Sequence, residues 1–247
     1  MVRKLTRKKL IICIVSVLLA LSLTAGGFLI YTADYYKADM SAIDAYRPEG
    51  AEYTEREIGS ALVFEPESSR FGFIFYPGGK VEYTAYVPLM RALAARGILA
   101  VLIEMPFNLA VLDMNAADGY TELFPDISGW FIGGHSLGGS MAASYAAKHS
   151  DEFDGVVLLG AYSTASLTEL SVLSVYGEND GVMNRKKYEK YKSNLPSDFT
   201  EYEIAGGNHA GFGMYGNQSG DGIARTDSEE QIELCSFQIF DFITKGR

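Results

Sequence analysis

A chain of 247 residues, 48% of them hydrophobic, is long enough to bury one sizeable core and still carry an appendage. Five of its 21 basic residues stand in the first nine positions with no acid among them. The remainder therefore holds 16 basic against 31 acidic residues, about −15 with His neutral. That sign excludes nucleic acid as a partner for the body. Cys13 lies in an apolar run and Cys235 near the C-terminus, so neither a disulfide nor a cysteine-based metal site is expected.

Residues 10–31 contain no charged side chain and are dominated by Leu, Ile, Val and Ala. As a helix they are long enough to cross a hydrocarbon core of about 30 Å. The basic residues in front (Arg3, Lys4, Arg7, Lys8, Lys9) place residues 1–9 in the cytoplasm and the body outside the cell. Ala20-Leu21-Ser22 offers a small-x-small cleavage signal, but the apolar run continues through Phe28-Leu29-Ile30 beyond it. The expectation is an uncleaved signal-anchor in the cell membrane, with secretion after cleavage as the alternative. Cys13 precedes most of the run, which argues against a lipoprotein.

Residues 32–52 are polar and mixed and read as a stalk, which leaves 53–247 as the globular domain. Residues 54–64 have the composition of opening antiparallel strands. Phe71-Gly72-Phe73-Ile74-Phe75-Tyr76, stopped by Pro77-Gly78-Gly79, reads as a buried parallel strand. A helix with apolar spacing is expected over 86–96, ended by Gly97, then a second buried strand over 98–103 and an irregular to helical stretch over 106–118. Further strands are expected at 127–133, 155–160, 171–176 and 199–204, with helices at 140–148, 185–194 and 229–242. Strands alternating with helices imply an α/β class domain, a doubly wound, mostly parallel sheet with helices on both faces. Residues 160–169 lead almost directly to the next strand, so at most a minimal cap, and an open site, is expected there.

Gly134-His135-Ser136-Leu137-Gly138 reads Gly-x-Ser-x-Gly and falls between an apolar strand and a run of helix formers. In that setting the serine sits on a strained turn, and glycines two positions either side keep it clear of strand and helix. A serine hydroxyl needs a base, itself oriented by a third group. Of three histidines, His149 ends the helix after the motif, where the helix dipole accounts for it. His135 is beside the serine in sequence. His209 follows the last strand in Gly206-Gly207-Asn208-His209, where a loop can deliver an imidazole to the carboxyl edge of the sheet. The acid belongs between serine and histidine, after a strand. Asp180 in Gly177-Glu178-Asn179-Asp180-Gly181 fits, with Glu178 in reserve, and Glu104 lies on the wrong side of the serine. The chain order Ser136, Asp180, His209 is nucleophile, acid, base. Leu137 and Gly79, with Lys80 as its neighbour, are the expected backbone donors to an oxyanion. Lys80 and His135 are the expected substrate contacts, and residues 211–223 the expected wall of the site.

Four segments, Tyr76-Pro77-Gly78-Gly79-Lys80-Val81, Gly134-His135-Ser136-Leu137-Gly138-Gly139, Gly177-Glu178-Asn179-Asp180-Gly181 and Gly207-Asn208-His209-Ala210-Gly211-Phe212-Gly213, together resemble the α/β-hydrolase superfamily. Within it they are similar to a branch of small, often membrane-anchored bacterial proteins related to dienelactone-hydrolase-like enzymes. The resemblance covers residues 54 to the C-terminus, and Pro77 departs from the His-Gly pair that often opens the oxyanion loop. It implies the α/β-hydrolase fold and hydrolysis of a small-molecule carboxylic ester or related acyl compound by a serine hydrolase, with no metal or organic cofactor. Acyl transfer through the same acyl-enzyme, or a catalytically silent surface binding protein, are the alternative functions.

Overall fold

The structure is a computed structural model that describes residues 7–245. Arg3 and Lys4 of the expected cytoplasmic segment lie outside the described residues. The chain divides into two units, Met1–Tyr35 and Tyr36–Arg247. In the first, helix α1 (Arg7–Ala33) has 27 residues, about 40 Å of helix at 1.5 Å per residue. Its best 18-residue window has a mean hydropathy of 2.4. By length and composition it can cross a bilayer, a property that signal sequences share.

The second unit is built on one sheet of eight strands: β1 (Tyr53–Ile58), β2 (Ala61–Pro66), β3 (Phe71–Tyr76), β4 (Leu99–Ile103), β5 (Gly129–His135), β6 (Gly155–Leu159), β7 (Ser171–Gly177) and β8 (Thr200–Ile204). Their order across the sheet is β1-β2-β4-β3-β5-β6-β7-β8. β1 and β2 form an antiparallel hairpin, β2 meets β4 antiparallel, and every pair from β4 to β8 is parallel. The central strands are apolar at nearly every position because both faces are covered. Phe73 and Phe75 of β3 join one core with Phe131, Val157, Leu173 and Val175. Ile74 and Tyr76, pointing the other way, join the second with Ile132, Val156, Leu158 and Val172. The first core is closed by α3 (Val87–Ala95) and α6 (Ser228–Thr244), the second by α4 (Leu137–Ala146). A further helix, α5 (Arg185–Tyr191), follows β7 and seats Tyr188 against Ser174, their hydroxyls 2.9 Å apart.

Residues 106–118 form short 3₁₀ turns at Pro106–Asn108 and Ala110–Leu112 rather than a helix. No helix interrupts 160–170 between β6 and β7. The expected stalk is a correction. From Tyr36 onward it packs on the body, where a short helix, α2 (Met40–Ala45), buries Ile43 and Tyr46 to 2% and 3% exposure against the first core. Tyr46 donates its hydroxyl to Glu233 of α6, which also takes Arg96 at 2.9 Å. Tyr36 forms a parallel bridge with Val81: its N–H donates to the Lys80 carbonyl (2.8 Å) and its carbonyl accepts from Glu82 (2.9 Å). The sequence signal was there, an apolar Ile and Tyr three apart, but the run is too short to read as core. Burying two such side chains stabilises by roughly 3–6 kcal/mol before ordering costs. A fragment beginning at residue 53 should therefore unfold at clearly lower urea than one beginning at residue 36. Denaturation midpoints of the two fragments measure this, and equal midpoints would return 36–52 to the role of a stalk.

Candidate active site

The turn from β5 into α4 carries Ser136 at φ 52°, ψ −119°, a strained conformation for a residue with a side chain. Its N–H donates to the Leu159 carbonyl at 2.9 Å, which ties the turn to the end of β6. The flanking glycines are required by close approach. A Cβ on Gly138 would lie 2.2 Å from the Pro77 carbonyl oxygen, and one on Gly134 2.5 Å from that of Tyr76. The same approach brings the loop after β3 against the first turn of α4. In that loop the Gly78 N–H donates to the Tyr86 hydroxyl (3.1 Å) and the Lys80 N–H to the Asn108 carbonyl (2.8 Å). Among the described residues the Gly79 N–H between them has no backbone partner outside helices and strands, and Leu137 is one of the first-turn residues of α4 whose N–H groups a helix leaves unpaired.

The loop after β7 presents Asp180. Its Oδ1 accepts the N–H groups of Val182 (2.9 Å) and Met183 (2.8 Å), and its Oδ2 is 2.8 Å from His209 Nδ1. Both side chains are buried, at 0% and 1% exposure. Burial pushes the Asp180 carboxyl up, but the bond and charge of His209 and the two backbone donors outweigh it and hold it below the usual carboxylate range. Gly160, in a left-handed conformation (φ 52°), brings this pair to the serine turn. A Cβ there would lie 2.9 Å from His209 Nδ1 and 3.1 Å from Asp180 Oδ2, and Gly160 directly follows the residue that holds Ser136. His209 Nε2 is buried and has no hydrogen-bond partner among the described residues, the Ser136 hydroxyl included. In ligand-free sites that bond is often open and tightens on substrate binding.

A family model described as alpha/beta hydrolase family matches residues 72–233, from β3 into α6. The chain belongs to the α/β-hydrolase family. No curated protein matches it.

In this hydrolase His135 does not face a substrate, which corrects one expected contact. It is buried, 1% exposed, with Nδ1 hydrogen-bonded to the Tyr86 hydroxyl at 2.7 Å and its ring 4.4 Å from that of His209. Burial, then the neighbouring His209, holds its pKa well below the ordinary imidazole value. Through Tyr86 it braces Gly78, and with it the loop after β3. Lys80 is half-buried, with its backbone (φ 60°) held between Asn108 and Tyr36. Glu178 turns away from His209: it accepts the Gly206 N–H and pairs with Arg225, each at 2.7 Å. His149 stacks on Tyr145 at 4.2 Å and bonds Glu152 at 2.8 Å.

Sequence reasoning missed Asp221. Its Oδ1 accepts from Gly181 (3.0 Å), Gly222 (2.8 Å) and His209 (3.2 Å), and its Oδ2 accepts from Ala210 (2.8 Å). One carboxylate thus ties together the loop of the acid, the loop of the imidazole and the 211–223 segment. Gln231 of α6 completes the support, accepting the Asn208 N–H (3.0 Å) and donating to the Asn208 carbonyl (2.8 Å). An Asp between two glycines, Gly220 and Gly222, was the available signal, but such a triplet also marks an ordinary turn.

The neutral His135 gives a pH dependence with a definite sign. An unfolded imidazole takes up a proton near pH 6.5, and the folded one resists it. Below that pH the unfolded state binds more protons, so this contribution to stability is present above about 6.5 and lost as pH falls. The slope approaches about 1.4 kcal/mol per pH unit. His135→Asn keeps an acceptor for Tyr86 and cannot titrate. It should lower stability at pH 7.5 but decline less than wild type between pH 7 and 5.5, as urea midpoints will show.

Proposed function

We propose that this α/β-hydrolase is a serine hydrolase that cleaves a carboxylic ester through an acyl-enzyme on Ser136. The observation that carries the reading is the buried Asp180–His209 pair, which packs at Gly160, the residue after the one that holds the Ser136 N–H, and whose Nε2 has no partner among the described residues. The Ser136 Oγ attacks the ester carbonyl while His209 Nε2 takes its proton; the same proton then goes to the departing alcohol oxygen. Asp180, kept ionised, orients the imidazole and stabilises its charged form. The N–H groups of Leu137 and Gly79 receive the negative oxygen of the tetrahedral intermediate. Water, deprotonated by His209, releases the acid and restores the serine. With no helix inserted between β6 and β7, the site is open, and no jump in rate is expected as substrate passes its solubility limit.

The decisive experiment is covalent labelling with a fluorophosphonate followed by mapping of the modified peptide. Modification at Ser136, lost in Ser136→Ala, supports the reading; absence of labelling in folded protein overturns it. The domain layout belongs to the same proposal: residues 1–9 cytoplasmic, 10–31 an uncleaved membrane anchor, and the body outside. Protease added to intact cells should digest the body and spare a short N-terminal fragment. Mature protein in the medium that begins near Leu23 would identify a cleaved signal instead.

A further inference from the structure

The surroundings of Ser136 are unequal on its two sides. On the side of β6 and β7 a cleft of about 190 Å³ adjoins the serine, lined by Gly160, Ala161, Tyr162, Val182 and Met183 among others. A cavity of about 150 Å³ holds a benzene ring, so this one admits on the order of six to seven non-hydrogen atoms. Tyr162 is its bulkiest wall residue, and it is fixed twice. Its carbonyl accepts from Ser140 Oγ at 2.8 Å, and its ring stacks on Tyr191 with centroids 5.5 Å apart and planes at 14°. Met183, another wall, is bonded through its N–H to Asp180, so the cleft cannot widen without disturbing the acid.

The loop after β3 borders a different surface. The turns at 106–112 pack against α4 and are bonded to Lys80, yet they leave Phe107, Val111 and Leu112 exposed to 52%, 56% and 48%. Phe107 and Asn108 hold left-handed backbone (φ 53° and 56°), strain of the kind that persists where a site requires it. Asn108 ties this apolar ledge to the loop after β3 through the Lys80 N–H, so a long arm of the same substrate is the occupant it suits.

We propose that the substrate is an unsymmetrical ester, with one short arm of up to about seven atoms in the cleft and one long apolar arm on the ledge, and that Tyr162 sets the limit on the short arm. This rests on the assignment of Ser136 as nucleophile. The test compares kcat/KM for ethyl acetate, dodecyl acetate, ethyl dodecanoate and dodecyl dodecanoate on the full chain in detergent, in wild type and in Tyr162→Ala. Expected are a difference of at least tenfold between the two mixed esters, poor turnover of dodecyl dodecanoate, and narrowing of the gap in Tyr162→Ala. Leu112→Ser should slow the better mixed ester several-fold more than it slows ethyl acetate. If Tyr162→Ala does not fold, Tyr191→Ala removes only the stacked ring and should narrow the gap in part. Equal rates on the mixed esters, no turnover of either, or a gap unmoved by the variants overturns the proposal. Fluorophosphonate labelling of Ser136 in the same samples separates that result from failure of the nucleophile assignment.

Discussion

Ser136→Ala should lower ester turnover by about 10⁶-fold and abolish covalent labelling, while the protein remains folded. The hydroxyl makes no hydrogen bond that supports the core, and Ala tolerates the turn no worse than Ser. His209→Ala should cost about as much, because nucleophile and base act as a unit and their losses do not add. Asp180→Ala should cost less, on the order of 10⁴-fold, since the imidazole survives but loses its orientation and its charge partner. Asp180 accepts three hydrogen bonds, so its loss should also lower stability, unlike that of Ser136. The sign follows from its depressed folded pKa: that stability is present above the unfolded value near 3.9 and lost as pH falls through the folded one. Glu178→Ala and His149→Ala should leave kcat/KM nearly unchanged, because neither side chain approaches the pair. Steady-state kinetics on the five variants check this ranking. If Glu178→Ala proves more damaging than Asp180→Ala, the acid is misassigned, and retained activity in Ser136→Ala removes the proposed mechanism altogether.

The legible parts of this chain were those where one local pattern has one physical meaning. Phe71-Gly72-Phe73-Ile74-Phe75-Tyr76 is apolar at every position because both faces of β3 are covered, and no soluble surface strand could be written that way. The Gly-x-Ser-x-Gly turn was legible because a Cβ on either of its glycines would lie only 2.2–2.5 Å from a carbonyl oxygen, that of Pro77 or Tyr76. What sequence hid was side-chain direction and long-range partnership. His135 stands next to Ser136 in sequence, but as the last residue of β5 it is buried against Tyr86, a partner 49 residues away that also takes the Gly78 N–H. Residues 36–52 were misread as a stalk because Ile43 and Tyr46 find their partners on α3 and α6, which lie far along the chain. Lys80, expected from the loop after β3 as a substrate contact, has its backbone position set by Tyr36 and Asn108, neither of which is near it in sequence.

Asp221 is the sharpest case of hidden partnership, and its removal should cost less than that of Ser136, His209 or Asp180 but far more than that of Glu178 or His149. Asp221→Ala leaves the N–H groups of Gly181, His209, Ala210 and Gly222 without their common acceptor. Water can replace the carboxylate for each donor singly, because Asp221 is only half-buried, so the fold should survive with a modest loss of stability. What water cannot do is hold two loops in register. Gly181 follows the acid and His209 is the base, so their separation relaxes when the shared oxygen goes. A displacement of about 1 Å in a catalytic constellation costs on the order of 10² in rate. The loss should therefore fall on kcat, with KM little changed, and fluorophosphonate labelling should slow by a similar factor because it uses the same nucleophile and base. Asp221→Asn offers a graded control. With its single oxygen in the place of Oδ1 it keeps three of the four donors and turns an amide against the Ala210 N–H, so its rate should lie between wild type and Asp221→Ala. A purely structural role would lower the denaturation midpoint of both variants and leave kcat per folded molecule unchanged, an outcome that would remove Asp221 from the positioning machinery.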